Sequence, residues 1–313
     1  MRHALIVAGP TCSGKSALAL GLAERLGGTV INADSMQVYR ELRIVTARPT
    51  PEEEARVAHR LYGVRAASEA GSVAWWRKAA LAEMQRCVGI PILCGGTGMY
   101  FRALTRGLAE IPEPSPEARE EAREVLATHG PVYLHEKLFA ADPETASRLG
   151  RTDSQRIARA WEVWRSTGIG LVAWQAQTQI PAPWRFSAVL LDPPRDVLRA
   201  AIATRFDAMV DHGAVDEVRD LLALGLDPGL PAMRAVGVPE LAAYLAGQLD
   251  LAEAAARASL ASGQYIKRQA TWFRNQKLTD PARTHTIHAR IAGLEQLSES
   301  ESHSLLNFVQ GDG

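Results

Sequence analysis

Three features of the sequence predict an α/β fold, a parallel sheet with helices packed on it, interrupted by an all-helical insertion. Apolar runs ending in glycine or polar residues recur along the chain. Segments of helical period lie between them. One proline-bounded block, Pro112–Pro181, is helical throughout.

The first apolar run is ALIVAG (Ala4–Gly9), continuous up to its glycine, as in a strand buried on both faces. Leu18, Leu22 and Leu26 then recur every fourth residue, which predicts a helix over Ser16–Leu26 stopped by Gly27 and Gly28. TVINADS (Thr29–Ser35) predicts a second strand running into polar residues. Ala79–Cys87 predicts a helix, IPILCGG (Ile90–Gly96) another buried strand and FSAVLLDPP (Phe186–Pro194) a further one. Near Ile111 the pattern changes. IPEPSPEAREEAR supplies three prolines and then a charged helix. Gly130, Pro143 and Gly168 punctuate the helical stretches beyond it, and PAPW (Pro181–Trp184) closes the block. The expected organisation is a discontinuous core, 1–111 and 182–280, a helical insertion, 112–181, and a Ser, His and Glu-rich tail, 281–313, expected to be partly disordered.

At 313 residues with 47% hydrophobic content, the chain can bury a substantial core. Lys plus Arg equals Asp plus Glu at 35 each, so any nucleic-acid surface must be a local patch. Cys12, Cys87 and Cys94 are odd in number and lack CxxC spacing. That excludes a disulfide framework or zinc site and points to a reducing cytoplasm. No apolar run reaches membrane-spanning length, the first strand does not read as a signal peptide, and no heptad run suggests more than a monomer.

The sharpest motif is GPTCSGKS: Gly9, Pro10, Thr11, Cys12, Ser13, Gly14, Lys15 and Ser16. G-x-x-x-x-G-K-S after a strand and before a helix is a phosphate-binding loop and marks the core as P-loop NTPase/nucleotide-kinase-like. Its backbone N–H groups converge on phosphate oxygens, the helix N-terminus adds partial positive charge, Lys15 supplies a point charge, and Ser16 is placed to ligate Mg²⁺. The motif specifies a polyphosphate but not which one; ATP fits as well as any other.

NADSMQVYR (Asn32–Arg40) puts Asp34 at the C-terminal end of the second strand, the edge where ligands bind in open α/β sheets. Asp34 there is either a helix or turn cap or a base and metal partner. CGGTGMY (Cys94–Tyr100) is a second glycine turn at the same edge, where Thr97 can donate to a diphosphate or simply close a tight turn. QRIARAWEVWR (Gln155–Arg165) and QYIKRQATWFRNQK (Gln264–Lys277) interleave cations with aromatics. Both fit RNA contact or ordinary amphipathic helices with aromatic cores. Arg205, in RFDAMV, is equally open.

GPTCSGKS, NADSMQVYR, TARPT (Thr46–Thr50), GGTGMY, DSQRIARAWEV, RFDAMV, AMRAVGVPE and KRQATWFR occur in this order to about Arg274. Together they resemble the bacterial tRNA dimethylallyltransferase (tRNA isopentenyltransferase) family. The resemblance implies transfer of a dimethylallyl group from dimethylallyl diphosphate to N6 of the adenine 3′ of the anticodon (position 37), with release of diphosphate. It also implies a helical insertion that grips the anticodon stem-loop. Carried over by position, Asp34 is the general base, and Lys15, Thr97 and Arg205 act at the diphosphate with Mg²⁺ on Ser16. The implied tRNA contacts are Asp34, Ser35, Met36, Gln37 and Thr97; Arg119 and Gln155, Arg156, Ile157, Ala158 and Arg159; then Arg234, Lys267, Arg268, Gln269 and Arg274. The chain departs from the family at Arg48, usually Lys, at VGVPE (Val236–Glu240), usually IGYKE, at Ile266, usually Ala, and in HRLYGV (His59–Val64), which lacks an Asp. None of these is Lys15, Ser16, Asp34, Thr97 or Arg205. Two other functions share the motifs: a small-molecule kinase with Asp34 activating a hydroxyl, and a nucleotide-gated RNA-binding protein without transfer activity.

Overall fold

The computed structural model describes residues 2–310. The chain divides into two compact units, one formed by the residues up to Thr105 together with those from Ala182 onward, the other by Arg106–Pro181. The first crossing precedes the prolines that mark it in the sequence, because the chain from 107 to 115 has no helix or strand of its own and groups with the helices after it.

Six parallel strands form the sheet of the larger unit: β1 (Arg2–Ala8), β2 (Thr29–Asn32), β3 (His59–Arg60), β4 (Pro91–Gly95), β5 (Trp184–Leu191) and β6 (Thr284–Ile287), in the order β3-β2-β4-β1-β5-β6. β1 is central, with Val7 between Cys94 and Val189. Ala4 to Ala8 have no exposed surface, which is why the run shows no alternation. One face of the sheet packs on α1 (Lys15–Leu26), using Leu5, Val7, Leu18 and Leu22. Beyond α2 (Pro51–Arg56), the other face packs on α3 (Val73–Arg86) and α4 (Gly98–Thr105), using Ile6, Ile31, Trp76 and Phe101. α3 starts earlier than its apolar period suggests because Ser72 caps it, accepting the Trp75 N–H.

The smaller unit holds α5 (Pro116–Ala141), broken at Gly130 (φ 78°) ahead of Pro131, then α6 (Pro143–Ser147), α7 (Ser154–Thr167) and α8 (Leu171–Ala176). Leu134, Leu138, Ile157 and Trp161 form its core. Back in the larger unit, α9 (Arg195–Asp211), α10 (Ala214–Ala223), α11 (Val238–Leu245) and α12 (Leu251–Asn275) bury Phe206, Val218, Leu241 and Ala258 against Val38, Tyr39 and Leu42 of the segment after β2.

Residues 281–310 of the tail depart from the partial disorder expected of it, and 311–313 lie outside the described residues. The tail adds β6 to the sheet edge beside Ala188–Leu191, and α13 (Glu299–Gln310) buries Leu305 and Val309 in the cluster that includes Leu18 and Leu22. Its Ser and Glu content hides this, because only one narrow stripe of α13 is apolar.

Candidate active site

The parallel order puts the ends of β1, β2 and β4 side by side, so three loops meet at one edge. The phosphate loop runs from Gly9 to the start of α1. Cys12 (φ 65°) and Gly14 (φ 92°) both take the left-handed conformation, which a residue with a Cβ adopts reluctantly. The Ser13 N–H donates to Pro10 O (3.2 Å), closing the turn. Lys15 Nζ donates to Pro10 O (3.3 Å) and so lies back along the loop. Burial pulls the Lys15 pKa down, and the nearby Asp34 carboxylate pushes it part of the way back. Ser16 is exposed on the first turn of α1.

Asp34 is presented by a buried polar device. Asn32 has no exposed surface, yet all its polar atoms are satisfied: Oδ1 accepts the Asp34 N–H (2.8 Å), and Nδ2 donates to Asp34 O (3.0 Å) and Leu61 O (3.1 Å). Trp76 Nε1 holds the Asn32 carbonyl at 2.7 Å. Asp34 Oδ1 in turn accepts the Met36 N–H (2.9 Å), so the carboxylate does cap a turn. That uses one oxygen only, and the residue also lines a cavity. Sequence reading passes over Asn32. Asn32→Ala is expected to lower stability by about 2–4 kcal/mol, since it removes three hydrogen bonds from a dry site. Chemical denaturation measures this, and transfer activity should fall with it because Asp34 loses its support.

Thr97 Oγ1 accepts the Ser35 N–H (3.0 Å) and its own N–H reaches Ala33 O (3.2 Å), so it hooks the Asp34 turn to the end of β4. Gly95 packs so closely on Ala33 that a Cβ would lie 2.1 Å from its carbonyl. Gln269 departs from its RNA-contact assignment. It is 4% exposed, with Oε1 accepting the Thr11 N–H (2.9 Å) and Nε2 donating to Gly96 O (3.2 Å), which ties the phosphate loop to the glycine turn. Burial leaves it no face for RNA.

A cavity of about 240 Å³ lies beside these loops. Thr11, Cys12, Asp34, Ser35 and Arg205 form its polar wall; Val45, Ile202, Phe206, Met209 and Val236 form an apolar one. Arg205 reaches Cys12 Sγ (3.8 Å) and Thr46 O (3.5 Å). The Thr46 segment is fixed by Glu217, whose carboxylate accepts the N–H groups of Arg43, Ile44 and Val45 at 2.6–2.9 Å. Nothing in the sequence signals that role, because Glu217 lies far from the segment along the chain. Gln37 spends both amide donations on Thr46 O and Ala47 O (2.9 and 2.8 Å) and is not on the cavity wall. Met36, Arg234 and Arg268 are, and the Arg268 guanidinium also lies over the Tyr265 ring. Lys267 and Arg274 are exposed on α12 away from that wall.

On the helical unit, Arg119, Gln155, Arg156 and Arg159 are exposed. Ile157, assigned with them, has no exposed surface, because it faces the core of that unit; Ala158 is half-buried. Arg48 donates to Tyr39 O and Arg40 O (both 3.3 Å), and Ile266 packs with Cys12, Leu198 and Ile202, so both departures from the family pattern serve packing. Among the described residues no cluster of three His, Cys, Asp or Glu side chains could hold a metal, and no helix is long and apolar enough to cross a membrane.

Comparison with known proteins agrees with this geometry. A family model described as IPP transferase matches residues 37–276. The chain is 60% identical to a tRNA dimethylallyltransferase of Granulibacter bethesdensis, over 99% of this chain and 98% of that one, and 57% identical to one of Gluconacetobacter diazotrophicus, over 98% and 94%. Among solved structures, a full-length tRNA isopentenylpyrophosphate transferase from Bacillus halodurans matches with a TM-score of 0.69 and 30% identity, over 99% of this chain and 96% of that one. A eukaryotic dimethylallyltransferase acting on tRNA shares the fold, with a TM-score of 0.80 at 22% identity, over 98% of this chain and 78% of that one.

Proposed function

The chain belongs to the IPP transferase family, and from that premise we propose that it transfers a dimethylallyl group from dimethylallyl diphosphate to N6 of the adenine at position 37 of tRNA, forming N6-isopentenyladenosine. The observation that carries this is the cavity, in which Thr11 and Cys12 of the phosphate loop, Asp34 and Arg205 meet an apolar wall. That wall suits a five-carbon chain.

In the reaction the bond from the allylic carbon to oxygen breaks, the bond from that carbon to N6 forms, and diphosphate leaves. The N6 proton passes to Asp34. The amine's lone pair is delocalised into the purine, so a base is needed as nitrogen becomes positive. Charge growing on diphosphate is met by the loop N–H groups, Lys15 and Arg205. Thr97 acts by holding the Asp34 turn. Mg²⁺ fits the donor set: a single exposed hydroxyl, Ser16, suits an ion that keeps its waters and shares a diphosphate, rather than an all-protein cage. When bound, it neutralises diphosphate charge.

Adenine in a stacked anticodon loop must be flipped out to reach such a cavity. The exposed cations Arg119, Arg156 and Arg159 on the helical unit, and Arg234, Lys267, Arg268 and Arg274 on the core unit, are the tRNA contacts, working in a cytoplasmic monomer. Lys267→Ala and Arg268→Ala should each reduce the slope of log K against log salt for stem-loop binding by about one, the signature of a lost phosphate contact. A slope unchanged in both removes that face of α12 from the RNA path. The function itself is tested by diphosphate release. Release from dimethylallyl diphosphate that requires the stem-loop, at one diphosphate per RNA, supports it. ADP formation from ATP with a small hydroxyl acceptor would replace it with a kinase.

A further inference from the structure

The chain after β6 returns to the phosphate loop and lies along its outer side. Arg290 Nε donates to Cys12 O (3.1 Å), and the Ile291 N–H donates to Ser13 O (3.0 Å). The approach is close enough that a Cβ on Gly14 would fall 1.5 Å from Ile291 O. Leu294 then packs on α1, where a Cβ on Gly21 would lie 2.9 Å from its Cδ1. Ile291 and Leu294 are buried in the same cluster as Leu18 and Leu22, so the segment is anchored to the helix that carries Lys15 and Ser16. Arg290 is exposed and makes no ion pair among the described residues. Its cation is committed to a loop carbonyl.

We propose that this C-terminal segment is a working part of the donor site, with Arg290 a positioning residue that braces the phosphate loop for a diphosphate. Three physical effects combine. Cys12 holds a left-handed backbone (φ 65°) that its Cβ disfavours, and a charge-assisted hydrogen bond to its own carbonyl helps fix it there. The two carbonyls capped from outside belong to the peptides whose N–H groups are those of Ser13 and Gly14. Donation to a carbonyl polarises its peptide and makes the N–H at the other end a stronger donor; at Ser13 this tightens the turn onto Pro10 O and so holds the loop in shape. The Gly14 N–H lies at the N-terminus of α1, where backbone N–H groups lack intrahelical partners and suit an anion. The guanidinium also adds positive charge beside the loop. On the loop's other flank, Gln269 holds the Thr11 N–H, so the loop is clamped from two sides by elements distant in sequence.

The choice of diphosphate as ligand rests on the function proposed above; the brace itself does not. The test uses the full chain and the variants Arg290→Ala, Arg290→Lys and Ile291→Pro, titrated with inorganic diphosphate and assayed with dimethylallyl diphosphate. Arg290→Ala should raise the diphosphate Kd and donor KM about tenfold, the worth of one hydrogen bond to a charged group, with a much smaller change in kcat. Stem-loop affinity should stay at its wild-type value and the thermal midpoint should fall by no more than about 2–4 °C, the effect of about one kcal/mol in a chain of this size. Arg290→Lys should recover part of the loss, and Ile291→Pro, which removes the second N–H, should shift diphosphate binding the same way. A diphosphate Kd in Arg290→Ala within twofold of wild type would overturn the brace, as would an equal loss of stem-loop affinity. If the wild-type chain ignores diphosphate but binds ATP, the donor assignment fails. The same titration with ATP then decides the brace: a tenfold loss in Arg290→Ala supports it and no loss overturns it.

Discussion

Asp34→Ala is expected to lower prenyl transfer by about two to four orders of magnitude, the usual range for losing a general base, while dimethylallyl diphosphate still binds. The structure makes a sharper version possible. Asp34 Oδ1 caps the Met36 N–H, so the proposed base role falls to the other oxygen. Asp34→Asn keeps an acceptor for the cap and removes the base. Single-turnover rates in both variants separate the roles. Equal losses mean that the base carries the effect. Near-normal turnover in Asp34→Asn alone means that the cap does, and would remove Asp34 from proton transfer.

Lys15→Ala should cost about two to three orders of magnitude in the rate of transfer, comparable to losing an oxyanion-hole donor, because in the proposed reaction it removes a cation from where charge grows on the leaving diphosphate. Lys15 Nζ now rests on Pro10 O, which a diphosphate must displace it from, so part of the loss should appear as weaker donor binding. Steady-state kinetics on the donor reads both parts. A variant with normal kcat/KM for dimethylallyl diphosphate would mean that the loop N–H groups carry the charge unaided.

The strands and the phosphate-loop motif were legible for different reasons. ALIVAG and IPILCGG are buried on both faces, so their strands show as unbroken apolar runs, and the glycines after them mark the loops. The phosphate loop shows because its backbone geometry restricts residue types locally. What stayed hidden depends on contacts between distant segments. β3 is two residues long, and β6, THTI, carries no apolar run. Gln269 sits in a basic stretch that reads as an RNA face, and only its burial against Thr11 and Gly96 shows the tie it makes. Asn32 and Glu217 are ordinary polar residues until the fold aims Asn32 at the Asp34 turn and Glu217 at the N–H groups of Arg43–Val45. Ile157 is the reverse case. It lies in a motif whose Gln155, Arg156 and Arg159 are exposed, and helical period alone turns it inward.

The most direct measurement is mass spectrometry of the nucleosides from an unmodified anticodon stem-loop incubated with this protein, Mg²⁺ and dimethylallyl diphosphate. N6-dimethylallyladenosine, confined to the adenine 3′ of the anticodon and formed far more slowly with Lys15→Ala, is the predicted result. Unchanged RNA, with ATP consumed when small hydroxyl acceptors are supplied instead, would contradict prenyl transfer and leave the loop at Gly9–Ser16 to a kinase.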